Sequence, residues 1–214
     1  MRHDLRQLTE VVRGYNFTPT TFAEIGSRDG HDTAFVANYW NILPDNCYIF
    51  EAHPVCHTLI SRTYPQFNLF HTAITDIQGV VEFNAGIVGY ETNVGISSLL
   101  DMEQGSFISE KVEVDGWRMD GILEYLGIPS YDLVKIDVEG ASLQVLEGFG
   151  EYLQDVKFIQ IELETKRVWK EQALHSEIVD YLHTKGFSVV DDVILSHDQN
   201  DTLFKNNKHV TYNP

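Results

Sequence analysis

The sequence predicts an α/β fold, an open sheet of parallel strands joined by crossover helices. Two observations carry this reading. Short β-rich apolar runs alternate with segments of helical period along most of the chain, the pattern that strand–helix–strand units produce. The first such run also ends in a glycine turn, Gly26 to Gly30, that opens a helix, and an open α/β sheet binds its ligands at that end of its strands. The 214 residues fit one hydrophobic core. No stretch rich in Pro, Gly or Ser marks a boundary, so one domain spanning 1–214 is expected, with an insertion of strands and loops at about 78–117.

Each element has its own justification. Thr21 to Gly26 reads as the first strand and Asp32 to Asn41 as its helix, with Phe35, Val36 and Tyr39 at helical spacing. Cys47 to Glu51 is the second strand. Pro54 then opens a helix to about Tyr64, because a proline in the first turn forfeits no intrahelical hydrogen bond. Phe67 to Ile74 is the third strand. Val80 to Phe83 and Val112 to Asp115 read as an inserted hairpin, punctuated by Gly86, Gly89, Gly95 and Gly105. Met119, Ile122, Leu123 and Leu126 restore the helical period up to Gly127, which is placed to cap the helix. Tyr131 to Asp137 is the fourth strand, and Gly140 to Phe149 a short helix with Leu143, Leu146 and Phe149 on its apolar face. Val156 to Leu163 is the fifth strand, and Trp169 to Lys185 the final helix. Phe187 to Leu195 and Thr202 to Tyr212 form a terminal hairpin around the turn formers Asp198, Asn200 and Asp201.

Charge narrows the partners. With 15 Lys and Arg against 32 Asp and Glu, the net charge of -17 repels polyanions, so neither nucleic acid nor an anionic membrane is an expected partner. A neutral or cationic small ligand is compatible. Cys47 and Cys56 are too few for a disulfide framework or a cysteine zinc site. The N-terminal residues lack the pattern of a secretory signal and no apolar run reaches membrane-spanning length. A soluble, cytoplasmic protein is expected.

The chemistry gathers around the glycine turn. Gly26 and Gly30 permit a backbone path that lets a ligand approach the main chain closely. Glu51, 21 positions beyond Gly30 at the end of the second strand, is placed to accept hydrogen bonds from both hydroxyls of a ribose. Its competing role is to cap the helix that begins at Pro54. A dinucleotide loop needs glycine where Arg28 and His31 stand, and no triphosphate-binding glycine–lysine motif exists. S-adenosylmethionine has ribose and adenine without phosphate, and its cationic sulfonium suits an acidic site.

Several segments in this order resemble a known family. They are Glu24-Ile25-Gly26-Ser27-Arg28-Asp29-Gly30, Phe50-Glu51-Ala52-His53-Pro54, Ala73-Ile74-Thr75-Asp76 with Gly79 and Phe83, Ser97-Ser98-Leu99, and Leu133-Val134-Lys135-Ile136-Asp137-Val138-Glu139-Gly140 followed by Leu146-Glu147-Gly148. Together they resemble the ordered motifs of FkbM-type S-adenosylmethionine-dependent methyltransferases over residues 22 to 165. The resemblance implies a Rossmann-like, mostly parallel sheet of seven strands with flanking helices and an antiparallel last strand. It implies O-methyl transfer to a small molecule or sugar, with Gly26, Gly30 and Glu51 on the cofactor and Ala73 and Ile74 near its adenine. Glu24, Ser27, Arg28, Ala52 and Asp137 complete the expected cofactor set. Ser27-Arg28 stands where the family more often has Ala-Asn, and Glu24 replaces the commoner Asp.

Asp137, Glu139 and Glu162 are the candidate catalytic residues. A carboxylate here would take the proton of an acceptor hydroxyl, or Asp137 would orient the sulfonium and leave the proton to Glu162 or a histidine. Asp137 and Glu139 are not expected to act as an adjacent pair, and Glu139 could equally cap the next helix. Glu164 is read beside Glu162 at a strand end, and His71 and His197 are the histidines considered as bases. A divalent ion held by Asp137 with Glu139 or Glu162 would be an alternative means of polarising the hydroxyl. No metal site is assigned, since His53, Cys56 and His57 lack a further ligand. A non-catalytic adenosine-binding protein on this fold, or a nicotinamide oxidoreductase, are the competing functions. Aromatic residues of the insertion would serve a homodimer as readily as a lid.

Overall fold

The computed structural model describes residues 3–87, 95–103, 105 and 109–211. Among the described residues ten strands form two sheets. The larger contains β1 (Phe22–Ile25), β2 (Cys47–Phe50), β3 (Asn68–Phe70), β7 (Leu133–Ile136), β8 (Phe158–Glu164), β9 (Phe187–Ser196) and β10 (Gln199–Asn206). Its order is β3-β2-β1-β7-β8-β10-β9. The first five are mutually parallel, and β10 runs antiparallel to both β8 and β9. The strand order reverses at β1, between β2 and β7, which opens a crevice at the carboxyl ends of these strands.

Strand alternation divides the core between two faces. Ala23, Ile25, Val134, Ile136, Ile159 and Ile161 pack with α4 (Met119–Leu126), α5 (Ser142–Gly148) and α6 (His175–Thr184). Phe22, Leu133, Phe158 and Leu203 pack on the other face with α2 (His31–Trp40) and the N-terminal segment. That segment comprises α1 (His3–Arg6) and a π-helical turn, Gln7–Val11. No element is expected here from the sequence, yet Leu5, Leu8 and Val12 of this segment are buried. On this second face β1 and β7 change character along their length, from Phe22 to Glu24 and from Leu133 to Lys135, all four buried.

The expected third strand is two elements. β3 stays in the large sheet, whereas β4 (Ala73–Ile74) joins β5 (Gly79–Gly86) and β6 (Ser109–Trp117) in a three-stranded sheet ordered β4-β6-β5. The Thr72 hydroxyl makes that transition by donating to the Asp115 carbonyl at 2.7 Å. The β5–β6 pair is antiparallel and longer than expected, while Gly89 of its connection lies outside the described residues. α3 (Pro54–Thr63) begins at its proline, and α4 ends at Gly127 in the left-handed conformation.

Three expectations need correction. The final helix starts at His175 rather than Trp169. Trp169 is fully buried, and the Gln172 side-chain oxygen accepts the N–H groups of Val168 and Trp169 at 2.9 and 3.1 Å, so this stretch forms a turn before the helix. Helix α5 buries Val145 and Leu146 but leaves Leu143 partly exposed, because it starts two residues later than expected and the chain then tightens into a 3-10 turn, Gly150–Asp155. Asn200 and Asp201 belong to β10, not to the turn, because they pair with Leu163 and Glu162 of β8. Among the described residues no helix is long and apolar enough to cross a membrane.

Candidate active site

The crevice holds a cavity of about 350 Å³ walled by the carboxyl ends of β1, β2 and β7 and by β4 and β5. The glycine turn forms its floor. Gly26 has φ +81°, and a Cβ there would stand 1.9 Å from the Asp137 carbonyl oxygen, so the turn lies directly on the end of β7. Gly26 N–H donates to Phe50 O at 2.9 Å. The Ser27 hydroxyl accepts Gly30 N–H at 3.1 Å and Asp29 accepts His31 N–H at 3.1 Å, closing the turn onto the start of α2. Arg28 adopts φ +59°, and its guanidinium reaches Asp29 at 3.4 Å.

Glu51 holds this turn from the neighbouring strand. Its Oε2 accepts the N–H groups of Ser27 and Arg28 at 3.1 and 2.8 Å, and its Oε1 accepts His53 N–H at 2.6 Å. Burial pushes the carboxyl above its ordinary range, and the N–H donors of His53, Arg28 and Ser27 pull it back. The helix cap considered for Glu51 is supplied by His53, whose Nδ1 accepts Val55 N–H at 3.2 Å. A carboxylate offers about four acceptor sites, so an anchored Glu51 retains room for a ligand hydroxyl.

Of the expected cofactor set, Gly26, Ser27, Arg28 and Glu51 line the cavity, as do Ala52, Ala73, Ile74 and Asp137. Glu24 and Gly30 are not part of its lining. Glu24 is buried in β1, where it accepts Thr33 N–H at 3.0 Å and the Thr33 hydroxyl, so it ties α2 to the sheet. Burial raises its carboxyl to about 8, against the pull of Lys135. Gly30 shapes the turn at φ +76°, with Tyr64 packed where a side chain would project.

Asp137 and Glu139 separate as the chain turns. β7 ends at Ile136 and Glu139 takes φ +48°. Asp137 Oδ2 lies 3.0 Å from Lys135 Nζ. Glu139, Glu162 and Glu164 instead bring one carboxyl oxygen each within 4.8 Å of one another. The ion-holding set weighed from sequence, built around Asp137, is therefore not the set that converges. Burial, then the charges of Asp137 and Glu164, raise Glu139 to about 8. Burial, then Asp137, Glu139 and Asp201, raise Glu162 to about 9. Burial also lifts Glu164 to about 7, while the Gln172 amide favours its ionised form. Glu139 and Glu162 line the cavity, and Gln199 donates to Glu162 Oε1 at 2.7 Å.

The histidines are engaged elsewhere. His53 Nε2 lies 2.8 Å from Gly86 O, His57 stacks on His71 with centroids 4.6 Å apart, and His197 pairs with Asp198 at 2.8 Å on an exposed turn. Sequence reasoning singled out neither Lys135 nor Gln199 for a role. A lysine inside an apolar strand is itself a signal, since lysine is almost never fully buried unless paired; Gln199 is placed only by the antiparallel register of β10.

A family model described as a methyltransferase FkbM domain matches residues 24–189. The chain belongs to the FkbM methyltransferase domain family. The match runs from Glu24 into β9 and takes in the glycine turn, Glu51 and the acidic cluster. Methyltransferase sdnD of Sordaria araneosa is 28% identical over 173 residues, covering 67% of this chain and 64% of that protein. Among solved structures, methyltransferase FkbM of Methylobacillus flagellatus KT superposes with a TM-score of 0.58 at 10% identity, over 87% of this chain and 43% of that one. The chain thus spans less than two thirds of either protein. Magnesium protoporphyrin IX methyltransferase (ChlM) of Synechocystis PCC 6803, solved with S-adenosylmethionine, gives a TM-score of 0.53 at 11% identity over 95% of this chain and 79% of that one. At such identities the FkbM domain shares with these structures its Rossmann-like fold.

Proposed function

We propose that this FkbM-family chain is an S-adenosylmethionine-dependent methyltransferase acting on a hydroxyl oxygen of a small molecule or sugar. The observation that carries the reading is the joint geometry of turn and acids. A glycine turn held by Glu51 lies at the switch point of the sheet, and its cavity ends at Asp137, Glu139 and Glu162. The residues fit the donor: Gly26, lacking a Cβ, lets the turn close against the Asp137 carbonyl at the end of β7, Glu51 offers a ribose acceptor, and Phe50, Ala73, Ile74 and Phe83 supply apolar walls for a purine. When bound, S-adenosylmethionine supplies a methyl group on a cationic sulfonium.

The chain's own contribution is orientation, charge and proton removal. Acidic side chains at the β7 side of the cavity would hold the cationic sulfonium end, so positioning provides much of the acceleration. A cavity carboxylate accepts the hydroxyl proton as the new carbon–oxygen bond forms. The net charge of -17 keeps nucleic acid and anionic membranes outside the proposed partners. Incubating the protein with cell extract and a donor labelled in its methyl group tests the reading. A labelled product whose label sits on oxygen supports it. Tight donor binding without any transfer would favour a non-catalytic adenosine-binding protein instead.

A further inference from the structure

Lys135 occupies the middle of a strand in the sheet interior and is 4% exposed. Its ammonium stands 2.8 Å from Asp32 Oδ2 and 3.0 Å from Asp137 Oδ2. Asp32 belongs to the first turn of α2, immediately after the glycine turn, and its side chain is 7% exposed. Asp137 follows β7, and its side chain is 32% exposed and lines the cavity. The ion bridge therefore runs from the interior to the wall of the site. Glu24 lies opposite Lys135 in the β1–β7 register and holds Thr33 of the same helical turn.

Fold stability alone does not call for this arrangement. Leu133, two residues earlier on the same face, is fully buried among apolar neighbours, and replacing a buried ion network with well-packed apolar groups is often neutral or stabilising. Burial disfavours the Lys135 ammonium, and the carboxylates of Asp137, Asp32 and Glu24 more than compensate. The main chain reinforces the link, since Asp137 N–H donates to Ile25 O at 2.9 Å and the Asp137 carbonyl lies where a Gly26 side chain would project.

We propose that Lys135 is a positioning residue: by bridging Asp32 and Asp137 it locks the start of α2, and with it the glycine turn, to the carboxylate that meets the cationic end of the donor. The proposal rests on the methyltransferase reading and adds that donor affinity depends on this bridge. Removing the ammonium leaves the site more negative, so charge alone would tighten binding of a cationic donor. Loss of position would weaken it. The two effects have opposite signs.

Calorimetry with S-adenosylmethionine and its uncharged-sulfur product S-adenosylhomocysteine, on wild type, Lys135→Met, Asp32→Asn and the double variant, separates them. The expected result is an affinity loss of about tenfold or more for both ligands in Lys135→Met, and a loss of about threefold or more in Asp32→Asn. In the double variant the Asp32→Asn effect disappears, because both act through one bridge. A role confined to the fold would lower the melting temperature while leaving the affinity of the folded fraction unchanged. Should Lys135→Met fail to fold, Asp32→Asn, which leaves Lys135 its Asp137 partner, carries the test on the same readout. Unchanged or tighter binding of S-adenosylmethionine in the folded variants, or additive effects in the double variant, overturns the proposal. Failure of the wild type to bind either ligand overturns the methyltransferase reading itself.

Discussion

Replacing Glu51 perturbs two things at once, and the geometry gives a magnitude to each. Its carboxylate accepts three backbone N–H groups, from Ser27, Arg28 and His53, at 3.1, 2.8 and 2.6 Å. A buried donor left without a partner costs about 1–3 kcal/mol, and cavity water can reach the partly buried Arg28 N–H, so Glu51→Ala should lose about 3–5 kcal/mol of stability. At roughly 2–4 °C per kcal/mol for a chain of this size, the melting temperature falls by about 6–20 °C. Loss of the charged ribose acceptor adds about 1.5–3 kcal/mol against the donor, about ten- to 150-fold in affinity. Glu51→Gln is the sharper probe. One amide oxygen can serve Ser27 and Arg28, but its NH₂ then faces the His53 N–H, so stability falls less than in the alanine variant while affinity still drops. Scanning calorimetry and donor titration measure both quantities. A folded Glu51→Ala protein with its melting temperature within about 2 °C of wild type and an unchanged donor affinity would refute both the anchoring and the ribose argument.

Asp137→Asn keeps the shape and removes the charge; turnover in steady-state kinetics should fall at least ~100-fold with the fold retained, and near-normal turnover excludes Asp137 from the mechanism. The donor-free protein should lose stability as pH rises: Glu162, raised from 4.5 to about 9, Glu139, raised to about 8, and Glu164, raised to about 7, bind protons more tightly folded than unfolded. Their contribution is complete below the unfolded value and is lost as pH climbs through the folded ones. Melting temperatures between pH 5 and 9 should therefore decline less steeply in Glu162→Gln than in wild type, and equal slopes would count against the burial of that carboxyl. Gly140→Ala would place a Cβ 2.4 Å from Trp169 Cδ1 at φ +85°, a strain and clash of about 2–4 kcal/mol. Thermal denaturation should show it, and an unchanged melting temperature would mean that Trp169 is not seated against that glycine.

What the sequence revealed was mostly what the local chain encodes. The glycine turn was legible because left-handed backbone at Gly26 and Gly30 demands glycine, and Gly127 because it ends an apolar period. Trp169 misled for the complementary reason. No glycine or proline interrupts the stretch from Trp169 to Lys185, but the environment of Trp169 is decided by Gly140 and Gln172, and local composition says nothing of such partners. Likewise Glu51 was recognisable as an acid at a strand end, whereas its three N–H donors depend on how the turn after β1 folds across β2.

The acidic cluster shows how register makes both core and site. Residues two apart on a strand share a face, so Lys135 follows Leu133, and Glu162 and Glu164 follow Phe158 and Gln160, on the side of the sheet that α2 covers. The intervening residues, Val134, Ile136, Ile159, Ile161 and Leu163, fill the opposite core. A slip of one residue would exchange the two sets and drive the charges into the apolar layer. The β7–β8 pairing, Leu133 with Phe158 through Ile136 with Ile161, is thus held by the core on one face, and it sets on the other the separation between Lys135 and the carboxyls beyond it. Substitutions that loosen packing beneath β7 and β8 should consequently disturb donor binding without touching the cavity.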